Sequence, residues 1–372
     1  MSGEGREIEF GFVAAPVGAN ETSDPELYEE ILADCEHHRA LGFGTAWMLE
    51  HHFSDYFPTP SPLTYLAFVA GRFPELALGT CVLVTPWYDP LRLAEEIAMV
   101  SHLTERELHL GLGRGTAKYE YDAFGIDMQE ARDRFRESWE IVERALRGDP
   151  FTYEGRYLRV PKEIRLRPSP ARERIHFYGG IGNASTAPIM AELGLPPICT
   201  SIGDLEKQAA TLRSWEAAAA ATGGTFSPAR PILITTLVAE SDAEALEQAR
   251  TYMTRFMEAQ VRHYQADATQ WGSIKGYEQW GAVFARMKTL CDPEAIEAWT
   301  EWQLIGSPET VIEKTQRFVD AGFNHIIVHT STPGVPRAVR HEWSTLFARE
   351  VAPRFSSAFR GGSLGAVSRV SR

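Results

Sequence analysis

The chain has 372 residues, a formal net charge of −13 and 44% hydrophobic residues, enough apolar material for one large α/β barrel or two ordinary domains. The acidic balance argues against nucleic acid or an anionic membrane as partner, since both attract cations. Cys35, Cys81, Cys199 and Cys291 lie far apart and form no C-x-x-C pair, so neither a zinc knuckle nor a disulfide framework is expected and a reducing cytosol fits.

The polar start from Met1 to Glu7, with no apolar run of spanning length anywhere, predicts a cytoplasmic protein. Ile8 to Ala15 reads as a first strand. Asp24 then supplies an N-cap and Pro25 a first helical residue, and Leu27, Ile31 and Cys35 recur at helical spacing until Gly42. The next strand, Thr45 to Leu49, runs directly into Glu50-His51-His52-Phe53. Apolar residues ending abruptly in titratable ones mark a strand leaving a core, and in a parallel barrel that end carries the chemistry. A capped strand whose histidines bond only to backbone is the alternative. As neighbours on an extended chain, His51 and His52 should point in opposite directions.

After a proline-stiffened loop (Pro58, Pro60, Pro62), Leu63 to Arg72 reads as helix. Leu76 to Val84 reads as a strand buried on both faces, Leu91 to Leu103 as helix and Leu108 to Leu112 as strand. Gly111-Leu112-Gly113-Arg114-Gly115-Thr116 then misses the dinucleotide fingerprint, because Thr116 holds the last glycine position. Glycines around one arginine could bring a guanidinium close to a phosphate, or simply form a tight turn with a surface arginine.

Met128 to Arg147 is a long amphipathic helix, Phe151 to Leu158 a small hairpin, and Ile175 to Tyr178 the next strand. Gly182, Asn183, Ser185 and Thr186 follow at a helix start, where free amides and hydroxyls can hold an anion or act as ordinary caps. Pro197 to Thr200 and Ile232 to Val238 are strands; Leu205 to Thr222 is a helix, and Asp242 caps another. From about 264 to 303 the periodicity fails among Trp271, Tyr277, Trp280, Phe284, Trp299 and Trp302, which reads as a packed insertion or a lid. Gly306-Ser307-Pro308-Glu309 opens a helix, His325 to His329 is the last strand and Val339 to Ala352 the last helix. The tail 356–372 has no core-forming pattern and is expected to be flexible. Eight strands without a composition break predict one (β/α)8 TIM barrel with insertions over residues 1–355.

Glu50-His51-His52-Phe53, Arg114-Gly115, Phe124 to Met128 followed by Arg132, Ala184-Ser185-Thr186 before Gly194-Leu195-Pro196, and Gly306 to Glu309 fall in the order seen in the bacterial luciferase-like flavin monooxygenases. In these motifs, from Ile8 to Pro353, the chain resembles that family. The resemblance implies a two-component enzyme that uses reduced FMN (FMNH2) and oxygen, with a separate NAD(P)H:flavin reductase as partner. It assigns His51 as the catalytic histidine beside the flavin, and Arg114, Arg132, Gly182, Asn183, Ser185 and Thr186 as holding its phosphate. Cys81-Val82 matches the position of a non-prolyl cis peptide beneath the ring system. No metal is implied.

Gly113 stands where luciferases have cysteine or valine, and Ser201 where they have a pocket tryptophan, so a substrate other than a long-chain aldehyde is expected. Phe12, Phe53, Trp87, Tyr88, Tyr119 and Trp271 are pocket candidates for an apolar or aromatic small molecule, to be hydroxylated or to undergo Baeyer-Villiger insertion. Rival readings are a deazaflavin-dependent reductase on the same barrel, a metal-dependent hydrolase and a non-catalytic flavin-binding protein. The commonest oligomer, a homodimer, is the expected assembly.

Overall fold

The computed structural model describes residues 7–15, 23–265 and 269–360. Its strands are β1 (Glu9–Val13), β2 (Thr45–Met48), β3 (Ala77–Val84), β4 (Leu108–Gly113), β5 (Phe151–Glu154), β6 (Arg159–Ile164), β7 (Ile175–Ile181), β8 (Pro197–Thr200), β9 (Pro231–Val238), β10 (Leu304–Gly306) and β11 (His325–His329). Apart from β5 and β6, an antiparallel and largely exposed pair, their apolar runs are buried on both faces, as parallel strands covered by helices require. In hydrogen-bonding order the ring runs β1, β2, β3, β4, β7, β8, β9, β11, and pairs such as Glu9 with His325 and Phe12 with Val328 close it. This is the expected (β/α)8 TIM barrel.

β10 is an addition that no periodicity signalled. It pairs with β9 from Thr236 to Val238, beyond the stretch from Pro231 to Thr235 that β9 gives to β11. The hairpin is longer than expected and comprises β5 and β6. Its turn is held by the Glu137 carboxylate, which accepts the amides of Arg156, Tyr157 and Leu158 at 2.8, 2.9 and 2.8 Å.

Several helix boundaries shift by one residue. Ser23, not Asp24, is the first N-cap. Ser241 caps the helix Asp242–His263, while Asp242 accepts the Ser307 amide (2.7 Å) and the Thr310 hydroxyl (2.9 Å), tying two helix starts together. The stretch from 264 to 303 contains the helices Trp280–Thr289 and Ile296–Thr300. Trp271, Tyr277, Phe284 and Met287 bury themselves there against Tyr121 and Met128 as a second apolar cluster. At the carboxyl end, residues 356–360 are anchored: Phe359 packs edge-on to Phe10 and Phe43, and the Ser357 amide donates to Glu7 at 2.8 Å. The rest of the expected flexible tail, 361–372, lies outside the described residues.

The floor of the barrel is built around Trp47, which is fully buried. A Cβ on Gly79 would sit 2.4 Å from Trp47 Cε3, and one on Gly11 would sit 2.5 Å from Trp47 Nε1. The flanking strands therefore need glycine for the indole to lie between them. Trp47 Nε1 donates to His325 Nε2 at 3.3 Å, and the ring packs on His109, whose Nδ1 meets the Tyr178 hydroxyl at 3.1 Å.

Two outcomes are expected from this core. Gly79→Ala should lower stability by about 1–3 kcal/mol through overpacking, read as a lower urea midpoint with an unchanged slope. His38, His109 and His329 are buried, and burial pulls their imidazoles down to about 3, about 3 and about 4. Unfolded imidazoles bind protons near pH 6.5. Below that pH the unfolded chain takes up protons that the folded one refuses, so stability should fall as the medium is acidified. Each group costs up to about 1.4 kcal/mol per pH unit; a urea midpoint that stays level or rises from about pH 7 to about pH 5 would contradict the assignment.

Candidate active site

The chain leaves β2 at Met48 and is held at once by Glu50. This carboxylate is buried, and it accepts the Val84 amide from the end of β3 (3.0 Å) and lies 3.1 Å from His52 Nε2. Burial raises its pKa, while His52 and Val84 pull the other way. With Glu50 fixed, the two histidines diverge. His52 packs between Trp87 and Phe124, its ring centroid 5.1 and 5.0 Å from theirs, and its amide donates to Glu120 Oε1 at 2.7 Å. His51 turns to the opposite side and meets Tyr56 at 4.9 Å and His263 at 4.6 Å, with Tyr264 at 6.2 Å.

His263 is the last residue of the helix Asp242–His263, and Glu120 lies in the short helix Lys118–Ala123 that follows β4. The two approach each other at 3.7 Å between His263 Nε2 and Glu120 Oε1. Ser54 Oγ engages His263 Nδ1 at 2.8 Å, and the Tyr119 hydroxyl donates to the His52 carbonyl. Burial, then the charge of His263 and then that of His52, holds His51 well below its ordinary pKa. Burial likewise pulls His263 down to about 3 and pushes Glu120 up to about 8. His51 is therefore neutral throughout the neutral range rather than poised within it.

Arg114 leaves the end of β4 and Arg132 stands in the first turn of the helix Ala131–Arg147. Both reach Gly276, where an added Cβ would lie 2.6 Å from Arg132 Nη2 and 3.0 Å from Arg114 Nη1. Arg114 Nη2 donates to the Gly276 carbonyl at 3.2 Å, and its guanidinium lies 4.6 Å over the Tyr277 ring. Arg114 Nη1 and Arg132 Nε are buried without a hydrogen-bond partner. Two adjacent cations with unspent buried donors call for an anion.

Strand β7 runs on past Tyr178, where the sequence reading ended it, through Gly179 and Gly180 to Ile181, and Gly182 to Thr186 follow directly. Asn183 Oδ1 accepts from the Ser185 and Thr186 amides at 3.0 and 3.2 Å and from the Ser185 hydroxyl at 2.6 Å. These donors are engaged within the turn, and among the described residues no hydrogen bond joins them to either arginine. The insertion bridges the gap, since Trp280 lies beside Gly182 and Gly276 beside the arginines.

The Cys81–Val82 peptide is cis. Val82 lies against Gly113 and Gly180; a Cβ on Gly113 would meet Val82 Cγ2 at 2.3 Å. This gives a steric reason for glycine at 113. Ser201 donates to Gln303 Oε1 at 2.7 Å, and Gln303 Nε2 donates back to the Ser201 carbonyl at 2.8 Å. Two pocket candidates are misplaced: Phe12 stacks on His38 under the helical layer, and Trp271 is enclosed in the second cluster. Glu120 and His263, which complete the surroundings of His51, carry no sequence signal of their own.

The family profile described as luciferase-like monooxygenase matches residues 8–325. An uncharacterised protein of Sinorhizobium fredii is 42% identical over 120 residues, 32% of this chain and 34% of that protein, so the chain spans about a third of its length. The alkanal monooxygenase alpha chain of Aliivibrio fischeri is 24% identical over 76% of this chain and 80% of its own. An F420-dependent glucose-6-phosphate dehydrogenase of Kineococcus radiotolerans is 27% identical over 84% and 88%. Among solved structures, a monooxygenase of Streptomyces bottropensis superposes with a TM-score of 0.75 at 24% identity, covering 94% of this chain and 100% of its own. The oxygenating constituent of 3,6-diketocamphane monooxygenase from Pseudomonas putida, a type II Baeyer-Villiger enzyme in complex with FMN, gives 0.73 at 20%, covering 94% and 99%. These two likenesses show the barrel. The profile match extends from the first strand to the start of the last, and by it the chain belongs to the luciferase-like monooxygenase family.

Proposed function

We propose that the protein is the oxygenase of a two-component system, using reduced FMN and oxygen to oxygenate an apolar or aromatic small molecule by hydroxylation or Baeyer-Villiger insertion. The observation that carries this reading is the pair of buried, unspent guanidinium donors on Arg114 and Arg132. They would hold the FMN phosphate, with Gly182, Asn183, Ser185 and Thr186 across the Trp280 bridge and Cys81-Val82 under the ring system. With reduced FMN bound, the net reaction puts one atom of O2 into the substrate and releases the other as water, the two electrons and two protons coming from the flavin.

His51 is the residue assigned to proton movement. Its neutral imidazole can accept a proton from the substrate and return it, with the rings of Tyr56 and Tyr264 beside it. His52 is committed to Glu50 and acts by fixing the turn. A separate NAD(P)H:flavin reductase is the implied partner, supported by the absence of a dinucleotide fingerprint in the sequence and by a similar structure named as an oxygenating constituent. Phe68, Met99 and Leu103, exposed on the neighbouring helices Pro62–Arg72 and Pro90–Leu103, support a homodimer. The four free thiols suit the cytoplasm, and among the described residues no helix is long and apolar enough to cross a membrane.

The likeness to the F420-dependent dehydrogenase favours one second reading, hydride transfer with a deazaflavin. Anaerobic titration with reduced FMN and with the reduced deazaflavin separates the two. Reduced FMN should bind more tightly, and Arg114→Ala or Arg132→Ala should each weaken it by roughly 10- to 100-fold, the worth of a lost charged hydrogen bond; preference for the deazaflavin, or indifference to both substitutions, overturns the proposal. His51→Ala should suppress product formation under reductase-supplied turnover. The acid limb of the wild-type pH profile should lie well below the ordinary imidazole pKa of 6.5, because the folded environment depresses it.

A further inference from the structure

The geometry points to a binding site for one borderline divalent metal ion, of the zinc class, formed by His51, Glu120 and His263. One ligand atom from each of these residues lies within 4.8 Å of the other two. They come from three elements, the turn after β2, the short helix after β4 and the carboxyl end of the helix Asp242–His263. In a tetrahedral zinc site with bonds near 2.0–2.1 Å, ligand atoms stand about 3.4 Å apart. Closure therefore asks for side-chain movements on the order of 1 Å.

A second observation aims a ligand into this space. His263 is 3% exposed, and its Nε2 is buried with no hydrogen-bond partner. Its other nitrogen is engaged by Ser54 Oγ at 2.8 Å. When Nδ1 carries the proton and donates it to Ser54, the lone pair sits on Nε2 and faces Glu120 Oε1 at 3.7 Å. In that tautomer the imidazole lone pair and the Glu120 oxygen face the same space, and a cation between them would be coordinated by both. The Ser54 contact is the kind of outer hydrogen bond that fixes the orientation of a ligating imidazole. The His52 amide, 2.7 Å from Glu120 Oε1, steadies the carboxylate in the same way. The carboxyl end of a 22-residue helix adds its negative dipole end at His263.

Two imidazoles and one carboxylate select zinc, cobalt or nickel over magnesium or calcium, which prefer all-oxygen shells. A bound ion would also take the lone pair of His51 and so withdraw it from proton exchange. Only that last consequence rests on the proposed function; occupancy does not.

The test is calorimetric titration of the chelator-treated, flavin-free protein with Zn2+ near neutral pH. One equivalent should bind, Glu120→Gln and His263→Ala should each weaken it at least 10-fold, and Mg2+ should give no signal. Arg114→Ala should bind zinc as the wild type does, so a failed flavin assignment would leave this result standing. His37→Ala serves as the control: its ring stacks on His341, which lies 2.7 Å from Asp34 Oδ1, and its loss should also leave zinc affinity unchanged. The wild-type Co2+ spectrum gives a readout independent of any variant's folding, with weak visible bands and no thiolate charge transfer expected. Absence of saturable binding, affinity unchanged in both ligand variants, or a cobalt spectrum dominated by thiolate would overturn the site.

Discussion

The Glu50 carboxylate governs the upper rim of the barrel. Buried charge is costly unless its oxygens are satisfied, and here satisfaction means accepting from the amide at the end of β3 and meeting the imidazole of His52. Those two bonds fasten the outgoing turn of β2 to the neighbouring strand. One histidine is thereby committed to structure, and the other is left facing Tyr56, Tyr264 and His263. The divergence of adjacent side chains is a property of any extended backbone. Glu50 decides which of the two imidazoles faces which wall.

The surroundings of His51 come from parts of the chain that are remote in sequence. Glu120 follows β4, His263 ends a long helix, and the insertion that begins beyond it carries Gly276 to the two arginines. The insertion thus contributes to both ends of the site: the Tyr264 ring near the imidazole, and the Gly276 carbonyl with the Tyr277 face near the guanidinium pair. Aromatic rings around one imidazole on one side and unspent positive charge on the other are what the proposed cofactor reading draws on.

Much of the barrel is legible in the sequence, because strands buried on both faces are written as apolar runs bounded by turn residues, as at Leu76 to Val84. His51, Arg114 and Arg132 are singled out through ordered motifs, and folding brings the two arginines together at Gly276. Helix caps were displaced by one residue where serine preceded aspartate, at Ser23 and Ser241, since both types cap well and only geometry chooses between them. The helices Trp280–Thr289 and Ile296–Thr300 escaped because their aromatic residues pack against one another and onto the Tyr121 cluster, which blurs a single stripe. Glu120 escaped for a different reason. Among Lys118, Tyr119 and Asp122 it looks like one more solvated charge, and only folding buries it against His52 and His263.

The indole wedged between Gly11 and Gly79 has a bearing on traffic. With Trp47, His109 and His325 filling the lower bore, solutes have no passage from below. Among the described residues, entry and exit are thereby left to the rim, where the strands of a parallel barrel end.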